Sequence, residues 1–190
     1  MTACAVLVPG YRGSARQPIV LAIAKRLDAV GVASKVAVLS TSPRPSLGYR
    51  EEVAALRAVR DQVLAAHGGP VALIGRSFGG RMCALLAAEE PPDALAIVGH
   101  PISPPGRPRP RDEAALAAVR CPTLVVQGDR DDLGPLAVLE RVAAGNPLID
   151  LIVLRGAAHE LRGPEEAEAA EHVGRWVAGM LGIVGEAGRP

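Results

Sequence analysis

The stretch VALIGRSFGG, residues 71–80, joins an apolar run to a Gly-x-Ser-x-Gly motif. The apolar run predicts a buried strand, and residues 79–90 have the pattern of a helix. A strand that turns sharply into a helix at Ser77 forces this residue towards a positive φ. Gly75 and Gly79 leave room for the turn, because a side chain at either position would clash. The stretch therefore predicts a strand–turn–helix unit that projects the Ser77 hydroxyl above a sheet.

Ser77 in such a turn is a candidate nucleophile. The N–H groups at the start of the following helix, that of Phe78 first, point to the same place and can stabilise an oxyanion. The alternative is a turn that uses small residues with no chemistry. Partners further along the chain favour the catalytic interpretation.

Outward from this unit, short apolar runs alternate with amphipathic stretches. The alternation predicts a three-layer α/β fold with about six mostly parallel strands and helices on both faces. One domain is expected at 1–182, with a flexible tail at 183–190. Strands are predicted at 4–8, 35–40, 71–75, 95–99, 123–127 and 149–154, and helices at about 18–31, 49–67, 79–90, 112–119, 135–144 and 164–181.

Three carboxylates follow the predicted strand at 123–127, in the sequence GDRDD. The loops beyond the carboxyl ends of parallel strands form the binding crevice of such a sheet. We prefer Asp131 as the acid, because the turn that begins at Gly128 carries the chain over the sheet before this side chain points inward. Asp129 is the reserve candidate. Asp132 is expected to cap the next helix or to face solvent.

His159 follows the last predicted strand, in a loop of small residues, RGAAHEL at 155–161. Small neighbours let an imidazole reach the serine, so His159 is the candidate base. His67 looks like a helix end and His172 like part of a helix face. His100 follows a strand and is expected to line the site.

The loop PGYRGS, residues 9–14, follows the first predicted strand. We expect the Tyr11 N–H to be the second oxyanion donor; the alternative is a Gly-rich turn without chemistry.

Arg12 and Arg76 lie beside the predicted site and would favour a substrate with a carboxylate, unless they are solvated or paired with Asp131 or Asp132. The loop matches neither a P-loop nor a dinucleotide-binding motif, so no cofactor is expected.

Composition narrows the function classes. The 190 residues carry a formal net charge of +1, which gives no case for nucleic acid or an anionic membrane. The three cysteines form no metal-binding pattern, so no metal is predicted. A scattered odd set of cysteines, with no signal peptide or membrane-length apolar run, predicts a cytoplasmic protein. A homodimer stays open as an assembly.

Four segments carry a resemblance to a known family: GRSFGGR at 75–81, GHPISPPGRP at 99–108, PTLVVQGDRD at 122–131 and GAAH at 156–159. The chain resembles the small dienelactone-hydrolase-like α/β-hydrolases, in particular the branch of testis-expressed protein 30 and NSL-complex subunit 3. The resemblance implies an α/β-hydrolase fold without a cap domain, and a triad of Ser77, Asp131 and His159. The chain departs at Pro9, where relatives usually carry His, and at Asp132, where many carry Pro.

These features predict a serine hydrolase that cleaves small or exposed carboxylic esters through an acyl-enzyme on Ser77. The Pro- and Arg-rich segment 101–111, where caps usually enter, is too short for a helical lid, so the site should be open. Two alternatives remain: a catalytically silent interaction module on the same fold, and a thioesterase or peptidase with the same triad.

Overall fold

A computed structural model describes residues 1–39 and 44–183. Six strands form one sheet in the order β2-β1-β3-β4-β5-β6, and every neighbouring pair is parallel. The strands are β1 (Thr2–Val8), β2 (Ala33–Val36), β3 (Gly68–Arg76), β4 (Ala94–Val98), β5 (Thr123–Gly128) and β6 (Ile149–Leu154). The helices are α1 (Pro18–Ala29), α2 (Arg50–His67), α3 (Phe78–Glu89), α4 (Pro110–Ala117), α5 (Leu136–Ala144) and α6 (Pro164–Met180).

The predicted three-layer α/β fold is confirmed, with six strands, helices on both faces and no separate cap domain in the described residues. The prediction differs most at β2, which is a four-residue edge strand that pairs with β1 alone. Its predicted end, residue 40, lies outside the described residues. So do residues 184–190 of the predicted tail.

Side-chain alternation along the strands divides the core into two layers. In β1, Ala5 and Leu7 pack in one cluster with α1 and α6, whereas Val6 and Val8 pack in the other with α2 to α5. Successive strand residues point to opposite faces, so a strand covered on both sides reads as a continuous apolar run. β4 is buried at all five positions, which suits its place inside the sheet.

The topology places the chemistry-bearing loops at one edge of the sheet. The chain runs outward from β1 to β2, then returns to β3 and continues the other way to β6. The strand order therefore reverses between β1 and β3, where the carboxyl ends of an open parallel sheet form a crevice. Val8 pairs with Gly75 there, directly beside the turn at Ser77. None of the helices in residues 1–39 and 44–183 has the length and apolarity needed to cross a bilayer.

Candidate active site

The turn at Ser77 has the strained geometry that the motif predicts. Its backbone has φ 49° and ψ −112°, and α3 begins at the next residue. A Cβ at Gly75 would lie 2.4 Å from the Gly80 Cα, and one at Gly79 would lie 2.2 Å from the Val8 carbonyl oxygen. Both neighbours are backbone, which cannot swing away. Glycine is therefore required on either side of the serine.

A continuous chain of hydrogen bonds joins three separated side chains. The Ser77 Oγ lies 2.9 Å from the His159 Nε2, and the His159 Nδ1 lies 2.8 Å from the Asp131 Oδ2. The Asp131 carboxylate is fully enclosed, while a fifth of the His159 side chain is exposed. Because the carboxylate can only accept, it selects the tautomer protonated at Nδ1 and leaves Nε2 to accept the serine proton.

The geometry separates the three aspartates after β5. Asp131 also accepts the Leu133 N–H at Oδ1, 2.9 Å away. Asp129 instead accepts the Gly156 N–H at 2.7 Å, which ties the β5 loop to the β6 loop. Asp132 is exposed. Of the three, Asp131 is the one placed against His159.

Gln127 is a site residue that sequence reasoning did not single out. Its buried amide donates to the Asp131 Oδ2 at 2.8 Å and accepts the His100 N–H at 2.7 Å. The available signal was a polar residue inside an otherwise apolar strand, since buried polar groups are kept only where they find partners.

A cleft of about 720 Å³ opens beside Ser77 and His159. Its walls come from the loop after β1, the start of α1 and the loop that leads into α6. The apolar part of the lining is Pro18, Ile19, Leu133 and Leu161. The charged lining consists of two arginines and two glutamates, Arg76, Glu160, Arg162 and Glu166. The described part of the cleft is thus balanced in charge.

Arg76 has neither arrangement expected from the sequence. It is neither solvated nor paired directly with an aspartate. Its buried guanidinium donates to the Val98 and Gly99 carbonyls at 3.3 Å each, and to the His159 carbonyl. Burial lowers the pKa of Arg76, and the Asp131 charge opposes that effect. The side chain therefore binds the loop that carries His159, and its donors are engaged with backbone rather than offered to a substrate carboxylate.

The loop after β1 lies against the same site. The Gly10 N–H donates to the Gln17 Oε1 at 2.8 Å, which braces the loop, and Tyr11 lines the cleft. The Tyr11 ring meets the Phe78 ring edge to face at 5.7 Å. Arg12 lies over the Tyr11 ring at 5.4 Å and is not among the described residues that line the cleft.

His100 does not line the cleft, contrary to the sequence expectation. It is fully buried, and neither ring nitrogen has a hydrogen-bond partner within the described residues. Burial, with smaller contributions from Arg81 and Arg109, lowers the pKa of His100 to about 3. The His100 ring is therefore neutral and lies in the protein interior, in the loop that follows β4. Across residues 1–39 and 44–183, no cluster of His, Cys, Asp and Glu is arranged to hold a metal ion.

Comparison with known proteins agrees with this architecture. Residues 43–180 match the sequence profile of a family described as an alpha/beta hydrolase domain. No curated protein matches the chain.

Several solved structures share the fold at low sequence identity. Est1E from Butyrivibrio proteoclasticus is 17% identical, with a TM-score of 0.80 over 95% of this chain and 89% of its own. A dienelactone hydrolase from Anabaena variabilis is 21% identical, with a TM-score of 0.80 over 95% and 87%. A serine hydrolase described as lacking a lid, from Xanthomonas campestris, is 21% identical, with a TM-score of 0.70 over 99% and 85%.

Proposed function

Because this chain belongs to the α/β-hydrolase domain family, we propose that it is a serine hydrolase that cleaves small or exposed carboxylic esters. The single observation that carries the proposal is the hydrogen-bonded chain from the Ser77 Oγ through His159 to Asp131. A nucleophile within 2.9 Å of a base, itself oriented by a buried acid, is the arrangement that activates a serine.

In the proposed reaction, His159 takes the Ser77 proton as the hydroxyl attacks the ester carbonyl carbon. The C–O bond to the alcohol then breaks, and His159 returns the proton to the leaving oxygen. Asp131 stays ionised, keeps the imidazole oriented and stabilises its charged form. Water, activated by the same imidazole, hydrolyses the acyl-enzyme and releases the carboxylic acid.

The oxyanion of each tetrahedral intermediate needs donors that are already in place. Phe78 is the first residue of α3, where an N–H has no carbonyl of its own helix to bind. We assign this N–H and that of Tyr11, whose residue lines the cleft, to the oxyanion hole. Losing one such donor lowers kcat by on the order of 10²- to 10³-fold.

The charged groups that line the cleft favour an uncharged substrate. Glu160 and Arg162 pair with each other at 2.8 Å, and the Arg76 donors are engaged with backbone carbonyls. A substrate carboxylate would therefore find no uncommitted cation in the described lining. Since residues 1–39 and 44–183 form no cap domain over the site, we infer a neutral ester of modest size or an ester exposed on a larger molecule.

The test combines p-nitrophenyl esters with a fluorophosphonate probe that labels activated serines. Ser77→Ala should lower kcat/KM by more than about 10⁴-fold and abolish labelling, because no other group can form the acyl-enzyme. Ser103→Ala, which alters a partly buried serine in the loop after β4, is the matched control and should label normally. Equal labelling of wild type and Ser77→Ala, or none in either, would favour a silent interaction module.

A thioesterase with the same triad is the second candidate, because it differs only in the leaving group. Acyl-CoA and peptide panels separate it from an esterase. Strong preference for long acyl chains would contradict an open site.

Two finer assignments also belong to this proposal. We place the chain in the branch of testis-expressed protein 30 and NSL-complex subunit 3, on the strength of the PPGRP sequence at 104–108. We also infer a cytoplasmic location, since Cys4, Cys83 and Cys121 are all free and buried.

A further inference from the structure

Gln127 has an orientation that its neighbours determine. It is fully buried near the carboxyl end of β5. Its Oε1 accepts the His100 N–H at 2.7 Å, while its Nε2 donates to the Asp131 Oδ2 at 2.8 Å and to the Gly134 carbonyl at 3.0 Å. A flipped amide would bring its oxygen against two acceptors and its NH₂ group against a donor, so it is excluded.

The atoms around the Gln127 amide are closely packed. A Cβ at Gly134 would lie 2.0 Å from the His100 carbonyl oxygen and 2.5 Å from the Gln127 Nε2. The ends of β4 and β5 and the loop that carries Asp131 therefore meet at this one side chain. Its burial means that each polar atom must keep its partner, because water cannot replace it.

From this geometry we propose that Gln127 is a positioning residue, which holds the Asp131 carboxylate against His159 and limits the basicity of its Oδ2 oxygen. The inference rests on the proposed function, because it assigns a role within the same hydrogen-bonded chain. Among the described residues, Gln127 is not part of the cleft lining, and its hydrogen bonds go to His100, Asp131 and Gly134 rather than to Ser77. It acts through Asp131 alone.

The two oxygens of the Asp131 carboxylate accept hydrogen bonds from three N–H donors. Oδ2 accepts from both Gln127 and His159, and Oδ1 accepts from the Leu133 N–H. Removing the Gln127 donor leaves His159 as the sole partner of Oδ2. The oxygen then attracts the imidazolium more strongly, and the carboxylate also loses one of the contacts that fix its rotation.

Gln127→Met is the direct test, because methionine matches the length of glutamine and carries no strong donor. We expect kcat/KM for a p-nitrophenyl ester to fall about 10- to 100-fold, because a carboxylate that has lost one of its fixing contacts no longer holds the imidazole in line with Ser77. The fall should lie in kcat rather than KM, since the cleft is untouched. The acid limb of the pH profile should move to higher pH, because a more basic Oδ2 favours the protonated imidazole.

Thr123→Val is the matched control. Thr123 is fully buried on the same strand and donates to the Cys121 carbonyl at 3.0 Å, at the opposite end of β5. Its loss should leave the pH profile in place. A Gln127→Met enzyme whose kcat and acid limb match those of Thr123→Val would overturn the proposal.

Gln127→Glu keeps the size and adds a titrating group. The introduced carboxyl group must hold a proton to donate to Asp131, so activity should resemble wild type at low pH and fall at higher pH as that proton leaves. A purely structural role would give no such new alkaline limb. Its absence in a folded variant contradicts the proposal.

An NMR readout separates this inference from the proposed function. The proton between the His159 Nδ1 and the Asp131 Oδ2 should resonate further downfield in Gln127→Met than in wild type, whether or not the protein hydrolyses esters. If the wild type hydrolyses no ester but the resonance still moves in Gln127→Met, the proposed function is wrong and the role of Gln127 is supported. If the wild type is active but the resonance does not move, the role of Gln127 is wrong and the proposed function is unaffected.

Discussion

Replacing His100 by Phe should make the protein less sensitive to acid. His100 is fully buried, its two ring nitrogens have no hydrogen-bond partner in the part of the chain that the structure describes, and burial lowers its pKa from 6.5 to about 3. The unfolded chain takes up a proton on this ring near pH 6.5, whereas the folded chain does not until about pH 3. The unfolded state therefore binds more protons between these values, and stability falls as the pH drops through this window.

The magnitude follows from the width of the window. At pH 5, the ring in the unfolded chain lies about 1.5 pH units below its midpoint, which corresponds to about 2 kcal/mol of lost unfolding free energy relative to pH 8. His100→Phe removes this proton uptake. The wild type should therefore lose about 2 kcal/mol more than the variant between pH 8 and pH 5.

Urea unfolding followed by circular dichroism at both pH values measures this difference. Packing changes caused by Phe alter stability equally at both pH values, so they cancel in the comparison. His67→Gln, which removes an exposed histidine at the end of α2, controls for the loss of a histidine elsewhere. The same pH dependence in His100→Phe and wild type would refute the reasoning.

Four further substitutions test the packing at the Ser77 turn and a buried ion pair. Gly79→Ala puts a Cβ 2.2 Å from the Val8 carbonyl oxygen and should lower the free energy of unfolding by about 3 kcal/mol or more. Gly179→Ala, which has open space around it in α6, should raise the free energy of unfolding by up to about 1 kcal/mol. Thermal unfolding compares the two variants, and equal melting temperatures would contradict the prediction. Arg81→Met leaves the buried Asp112 without the guanidinium that lies 2.5 Å from it, and should lower the free energy of unfolding in urea by about 3–5 kcal/mol. Adding Asp112→Leu should restore much of that loss. An Arg81→Met variant as stable as wild type would show that the ion pair does not stabilise the fold.

Much of the fold follows from local sequence patterns. Apolar runs, helix periodicity and the Gly-x-Ser-x-Gly turn each depend on residues that are near neighbours in the chain, and these local patterns predict the six strands and six α-helices of the described residues. β2 was the least accurate, because an edge strand with one partner has no buried pattern on both faces to mark its ends.

The site was predictable in part. The order of Ser77, an aspartate and His159 along the chain is visible in the sequence, because each follows a strand at the same edge of a parallel sheet. The sequence also favoured Asp131 over Asp129. It could not show that Asp129 would bind the neighbouring loop instead, at the Gly156 N–H.

The amino-acid sequence by itself determined the strand–turn–helix unit at Ser77 and the succession of strands that brings the candidate triad to one edge, since these depend on local geometry and on period. Only the tertiary structure decided that Arg76 would bind the His159 loop, that His100 would be enclosed and that Gln127 would donate a hydrogen bond to Asp131. The physical reason is that buried polar groups take whichever partners the packed strand ends offer. Small differences in loop position, invisible in the sequence, choose among those partners.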